Sequence, residues 1–361
     1  MEEEPMKNKK QELGQFYTTN YNYILQNMYL PKDITRMVEP FAGNLDLLKW
    51  VKTMQVSKHD IDIECFDIDP KDKSIEVRDT ILNPPDYRNK FVLTNPPYLA
   101  RNKCKDKTAF DKYNTNDLYK CFIEELIKPE QQPIGGILIV PLNFWCSIRD
   151  GDISLRRRFL EVNHIVQMNI FEEKVFHDTG YTVCSFQFCR KGEYTIHPFT
   201  INIYPSNKVL TDISLHHGNN FAIGGEIYKC PQNSSITIDR LTRKNKETAG
   251  DAITNILVKC IDDNAENKIR LEMVSDENRY IDETEKTSAR SYATLVIKPA
   301  ISIEQQLVLV DCFNEFLEEK RSKYNSLFLT NYRESNTIAR KRISFSLVYE
   351  IVNYLLTSRI L

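Results

Sequence analysis

The chain has 361 residues, 41% hydrophobic and 27% charged, and a net charge of −2. That is enough for one large or two ordinary domains with a substantial core, and the composition is that of a soluble globular protein. The small net charge excludes a global basic field, so any nucleic-acid contact has to come from a local patch on a neutral body.

The nine cysteines are scattered, with no C-x-x-C pair, which predicts reduced thiols rather than a zinc site or a disulfide framework. The start, MEEEPMKNKK, is charged and has no apolar h-region, and no run reaches transmembrane length. The expectation is a soluble, intracellular (cytoplasmic) chain without a membrane partner. Residues 13–19 predict a loop. Apolar residues at roughly helical spacing predict a short amphipathic helix over 21–30, ended by Pro31.

Residues 35–41 read as a strand, Ala42-Gly43-Asn44 as a tight turn and residues 46–54 as a helix. Backbone N–H groups point out of such a turn, making an anion- or nucleoside-sized pocket, although a single Gly43 falls short of G-x-G-x-x-G. Residues 61–70 predict a second strand, tipped by Asp67. A carboxylate there accepts from both hydroxyls of a ribose; read alone, an Asp in D-I-D-P is more often a turn former. Residues 74–79 predict a short third strand ending at Asp79, and the apolar 91–94 a fourth.

The fourth strand delivers Asn95-Pro96-Pro97-Tyr98. Consecutive prolines stop both helix and ladder, so Asn95 is held at the strand's carboxyl end, where open α/β sheets bind ligands. A rigid polar clamp beside the ring of Tyr98 suits an exocyclic amine on a planar base. Taken alone, the motif is as readily a proline turn after a strand. The basic segment behind it reads as a loop.

Residues 117–127 predict an amphipathic helix and 137–141 a buried strand; 165–171 and 181–189 predict an antiparallel hairpin at the sheet's edge. Strands interleaved with helices argue an α/β, doubly wound, mainly parallel sheet. After Gly192 the texture turns polar, with short β-like runs at 194–203 and 292–297. A long helix over 304–323, a basic 326–342 segment and an apolar helix over 345–356 follow. The predicted domains are therefore 1–192 and 193–361.

In order, the chain carries G-Q-F-Y-T-T, E-P-F-A-G, F-D-I-D-P, R-D and T-N-P-P-Y. This series resembles S-adenosylmethionine-dependent DNA adenine-N6 methyltransferases, and more narrowly the γ group, the modification enzymes of type II restriction–modification systems. The resemblance covers about residues 11–191 motif by motif. It implies a seven-stranded class I methyltransferase (Rossmann-like) sheet, with a C-terminal α+β target-recognition domain. Its cofactor is S-adenosyl-L-methionine with no metal, and its partners are double-stranded DNA and a separately encoded restriction endonuclease.

Carried over residue by residue, the resemblance puts Phe16, Tyr17 and Thr18 over the methionine end of the cofactor. Glu39, Phe41, Ala42 and Gly43 would line the pocket beside the amine and the sulfonium. Asp67 would take the ribose, Ile68 would lie against the adenine ring, and Asp79 would accept from the adenine amine. Asn95, Pro96, Pro97 and Tyr98 would hold a flipped target adenine, with Asn95 also touching the cofactor. Phe176 is the best match for a second stacking aromatic, with Phe171 and Tyr181 as substitutes. Arg101, Lys103, Arg340, Lys341 and Arg342 would meet phosphates. Leu45 departs from a small residue common in the first motif and would tighten the cofactor pocket; Thr80 stands where some members have an aromatic. The alternatives are a methyltransferase acting on RNA adenine or protein glutamine, and a catalytically inactive DNA-binding homologue.

Overall fold

The computed structural model describes residues 14–54, 61–176, 181–192, 198–262, 268–283, 291–329, 333–335 and 338–361, with the backbone alone at 333–335 and 338–340. The chain forms two compact units, one of residues 1–144 and 149–214, the other of 145–148 and 215–361.

The first unit is built on β1 (Arg36–Glu39), β2 (Asp62–Asp67), β3 (Glu76–Val77), β4 (Phe91–Thr94), β5 (Gly135–Pro141), β6 (Asn163–Phe171), β7 (Val183–Arg190), β8 (Phe199–Tyr204) and β9 (Lys208–Ile213). They form one sheet in the order β3-β2-β1-β4-β5-β7-β6-β8-β9. The pairs from β3 to β5 are parallel, and β7 inserts antiparallel between β5 and β6. This is the α/β seven-stranded methyltransferase order that the resemblance implies, extended by two strands. Every residue of β4 and β5 is buried, which is why both read as unbroken apolar runs.

Two expectations need correcting. The β6/β7 pair is not the edge, because β8 pairs parallel with β6, and β9 antiparallel with β8. The sheet therefore runs past Gly192 to Ile213, since Phe199, Ile201 and Ile203 alternate into its core.

The helices of this unit are α1 (Tyr21–Ile24), α2 (Asp46–Met54), α3 (Thr108–Tyr113), α4 (Leu118–Leu126) and α5 (Asp150–Val162). α1 stops well short of Pro31. The carbonyls that would continue it accept instead from sheet side chains: Ile24 O from Ser185 (2.7 Å), Gln26 O from Asn169 (2.7 Å) and Tyr29 O from Gln187 (3.0 Å). Asn27 then turns left-handed, at φ 62°. α3 replaces the loop expected behind Tyr98, and α5 has no counterpart in the periodicity because its apolar residues are sparse.

The second unit is α+β. Its strands are β10 (Thr237–Arg240), β11 (Ile253–Lys259), β12 (Ile261–Asp262), β13 (Arg270–Met273), β14 (Tyr292–Lys298), β15 (Arg333–Ser335) and β16 (Ile338–Arg342). One sheet runs β10-β14-β11-β13 and another β12-β16-β15. α6 (Ile303–Tyr324) begins at a capping box in which Ser302 and Gln305 exchange side-chain and backbone bonds of 2.8 and 3.2 Å. α7 (Phe345–Leu355) closes the unit, and the basic segment before it includes the β15/β16 hairpin. Among the described residues no helix is long and apolar enough to cross a membrane.

Candidate functional site

A cavity of about 220 Å³ opens beyond the carboxyl ends of β1, β2 and β4. Its walls include Tyr17, Phe41, Gly43, Asp67, Ile68, Asp79, Asn95 and Pro97. A smaller one of about 20 Å³ adjoins it, lined by Phe16, Tyr17, Thr18, Glu39, Phe41, Ala42, Gly43, Asp46 and Asn95 among others. Loops that follow parallel strands converge at one end of the sheet, which is why residues from distant parts of the sequence meet here.

Asp67 organises the larger cavity. Its Oδ2 accepts from the Gly43 amide at 2.8 Å, and its Oδ1 from the Asp69 amide at 2.8 Å and from Gln15 Nε2 at 3.3 Å. Gly43 has φ +50°, and a Cβ there would stand 3.1 Å from the Tyr17 ring, so the turn requires glycine. Asp79 uses Oδ1 to accept from the Ile81 and Leu82 amides, both at 3.1 Å. Ile68 is half exposed beside them, and Thr80 donates to the Pro40 carbonyl at 2.9 Å.

Glu39 is buried at the tip of β1, with Oε1 unpartnered among the described residues. Burial drives its pKa well above the carboxylate range, against which the Phe41 amide pulls it down. Asp46 Oδ2 likewise lacks a partner, while its Oδ1 holds Lys49 at 2.7 Å. These oxygens suit a ligand ammonium, the two acids Asp67 and Asp79 suit a diol and an amine, and Phe41, Ile68, Leu82 and Phe110 suit a flat ring. The residues thus fit S-adenosylmethionine as a ligand class.

Asn95 lines both cavities. Its Nδ2 donates to Phe16 O at 2.7 Å and to Thr18 Oγ1 at 3.1 Å, and its Oδ1 accepts from the Tyr98 hydroxyl. That hydroxyl has a second acceptor, Ile139 O, at 2.8 Å. The loop is stitched further by Tyr98 N donating to Gly14 O at 2.9 Å. Tyr98 is only 3% exposed, packed edge-on by Tyr119 and Tyr181, and burial raises its pKa. Phe16 lies 5.3 Å from the Tyr98 ring and 6.2 Å from that of Phe176.

Pro96, Tyr98 and Phe176 line neither cavity. Phe171 is fully buried and stacked on Tyr204 at 5.8 Å, which removes it as a substitute for Phe176. Leu45 lines neither cavity; it takes a left-handed φ of 60°, so it does not tighten the pocket as expected. Of the predicted phosphate contacts, Arg101 is paired with Asp111 at 2.6 Å and Lys103 is exposed. Lys341 and Arg342 sit half-buried on β16 in the second unit, Lys341 reaching Asn325 O at 3.3 Å; the Arg340 side chain lies outside the described residues.

Sequence reasoning missed Arg78, Leu82, Cys104 and Phe110 in the cavity wall. Phe110 and Tyr113 form a core cluster with Ile81 and Cys121. Their i, i+3 spacing inside the basic segment was the available signal.

Residues 9–176 match the family described as Eco57I restriction-modification methylase. No curated protein matches the chain. Among solved structures it is similar to a modification subunit of a putative type I restriction enzyme from Vibrio vulnificus YJ016, at 13% identity over 55% of this chain and 49% of that one, TM-score 0.42. It is similar also to a putative class I S-adenosylmethionine-dependent methyltransferase from Listeria monocytogenes, at 14% identity over 50% and 61%, TM-score 0.37. A third is the EcoKI M protein of a type I restriction enzyme, at 13% identity over 75% and 65%, TM-score 0.39. The chain spans less than two thirds of the length of each.

Proposed function

We propose that this chain, whose residues 9–176 match the Eco57I restriction-modification methylase family, methylates N6 of adenine in a specific duplex DNA sequence as the modification arm of a restriction–modification system. The observation that carries the proposal is the place of Asn95 in N-P-P-Y. It forms a wall shared by a cavity lined by Asp67 and Asp79 and a cavity lined by Glu39 and Asp46, each with one unpartnered oxygen among the described residues.

S-adenosylmethionine, bound there, would supply an electrophilic methyl group. Asp67 and Asp79 would hold its nucleoside end, and Glu39, Asp46 and Thr18 its methionine end. An adenine amine is a poor nucleophile because its lone pair is delocalised into the ring. Asn95 Oδ1 and the Pro96 carbonyl would each accept one N6–H, drawing the nitrogen towards sp³ geometry and aiming its lone pair. A carbonyl oxygen has two lone pairs, and the Tyr98 hydroxyl can rest on Ile139 O, so Asn95 Oδ1 is free to take the base. The N6–CH3 bond would form as the S–CH3 bond breaks, S-adenosylhomocysteine leaving as the thioether and the surplus N6 proton passing to solvent; positioning and electrostatics supply the rate, with no strong base needed. Because N6 is unreachable in a stacked duplex, the adenine would leave the helix and stack on Tyr98 and Phe176. The second unit would read the sequence.

The test is to incubate the full chain with labelled S-adenosylmethionine and, in turn, duplex DNA, RNA and a release-factor-like protein, then digest and identify the product. N6-methyladenine in DNA is expected; label in any other product overturns the assignment.

A further inference from the structure

The ring of Phe16 lines both cavities but has no role in the proposed methyl transfer. It lies 5.3 Å from Tyr98 and 6.2 Å from Phe176, tilted 30° and 34° to them. These are the two rings assigned above to the target base. The loop beneath is fixed from both sides: Phe16 O accepts from Asn95 Nδ2, and Gly14 O from Tyr98 N. Gly14, at φ +66°, packs so closely that a Cβ would stand 2.8 Å from Tyr98 O. The backbone is thereby held against the clamp while a flat apolar side chain stands beside both rings. Aromatic partners at such distances and tilts give a ring contacts of the kind a nucleobase would make.

We propose that Phe16 stands in for the target base and is a positioning residue for base entry. A purine is admitted by exchange of one ring for another, the Phe16 side chain turning away while its carbonyl keeps Asn95 oriented. This rests on the adenine reading above. The exchange keeps the two stacking rings apart and the clamp preformed before the base arrives, and it sets a threshold that only a base stacking better than phenyl passes.

The test titrates the full chain with 2-aminopurine 2′-deoxyriboside, whose emission is quenched on stacking and which has no N6 amine. Removing the competitor in Phe16→Ala should tighten binding five- to tenfold, Phe16→Tyr should match the wild type, and Phe176→Ala in the Phe16→Ala background should cancel the gain. Phe16→Leu, which keeps apolar volume without a flat face, should gain two- to fivefold and serves if Phe16→Ala fails to fold. Unchanged or weaker binding in Phe16→Ala and Phe16→Leu overturns the proposal, because the ring is then a packing group or a third wall. Methyl transfer to duplex DNA by the wild type is measured alongside. Transfer without tighter nucleoside binding sinks the stand-in and leaves the adenine assignment; tighter binding without transfer does the reverse.

Discussion

Asp117 gives a prediction whose sign and size follow from its surroundings. It precedes α4, is 8% exposed, and accepts from the Leu99 amide at 3.1 Å, just behind the clamp. Burial pushes its pKa up to about 7, with Lys120 drawing it back down. An ordinary Asp titrates near 4, so between about pH 4 and 7 the unfolded chain has lost this proton while the folded chain keeps it. Unfolding then releases a proton, and stability falls as pH rises, by at most about 1.4 kcal/mol per pH unit, levelling off above about 7. The whole window is worth about 4 kcal/mol as an upper bound, of which about 2–3 kcal/mol lies between pH 5 and 8. Asp117→Asn retains an acceptor for the Leu99 amide and cannot ionise. Urea unfolding of both proteins at pH 5, 6, 7 and 8 should show the variant gaining about 2–3 kcal/mol on the wild type across that range. A difference that stays flat to within about 0.5 kcal/mol, or one that shrinks as pH rises, would refute the assignment of a neutral Asp117 behind the clamp.

Asn95→Ala should lower methyl transfer by about 10²–10³-fold, the scale of losing one preorganised polar group, while the cofactor Kd by calorimetry moves less than about tenfold; full activity would remove the clamp from the mechanism. Gly43→Ala has to hold φ +50° with its methyl 3.1 Å from the Tyr17 ring, a strain of about 1–2 kcal/mol. Cofactor binding should weaken by about tenfold, and an unchanged Kd would place the cofactor elsewhere. Tyr98→Phe removes the hydroxyl shared by Asn95 Oδ1 and Ile139 O, so thermal unfolding should show a loss of about 1–2 kcal/mol together with a lower kcat. A neutral result in both would mean the hydroxyl holds nothing.

Much of the first unit was legible because its signals are local. β4 is bounded at Phe91–Thr94 as expected, and α2 at Asp46–Met54, since a continuous apolar run and an amphipathic stripe each report their own burial. The motif order brought Asp67, Asp79, Gly43 and Asn95 to one cavity wall. What the sequence hid was set by partners far along the chain. α1 ends where Ser185 and Asn169 take its carbonyls, more than 140 residues away. β8 and β9 join the first sheet through pairing with β6, which no local pattern announces. The position of Phe16 against two rings is of the same kind, since ring contacts depend on loop geometry rather than spacing.

The rims of the nine-stranded sheet bear on how the molecule keeps to itself. β3, first in the order, is two residues long, and its exposed Val77 is followed by an Arg78–Glu76 pair. β9, last in the order, begins with Lys208, slips register against β8 and turns left-handed at Asp212. Neither rim offers the long, flat, apolar row of amides and carbonyls on which another chain would add a strand. Shortness at one end and irregularity with charge at the other discourage aggregation through the sheet, so a wide mixed sheet can be carried without recruiting its neighbours.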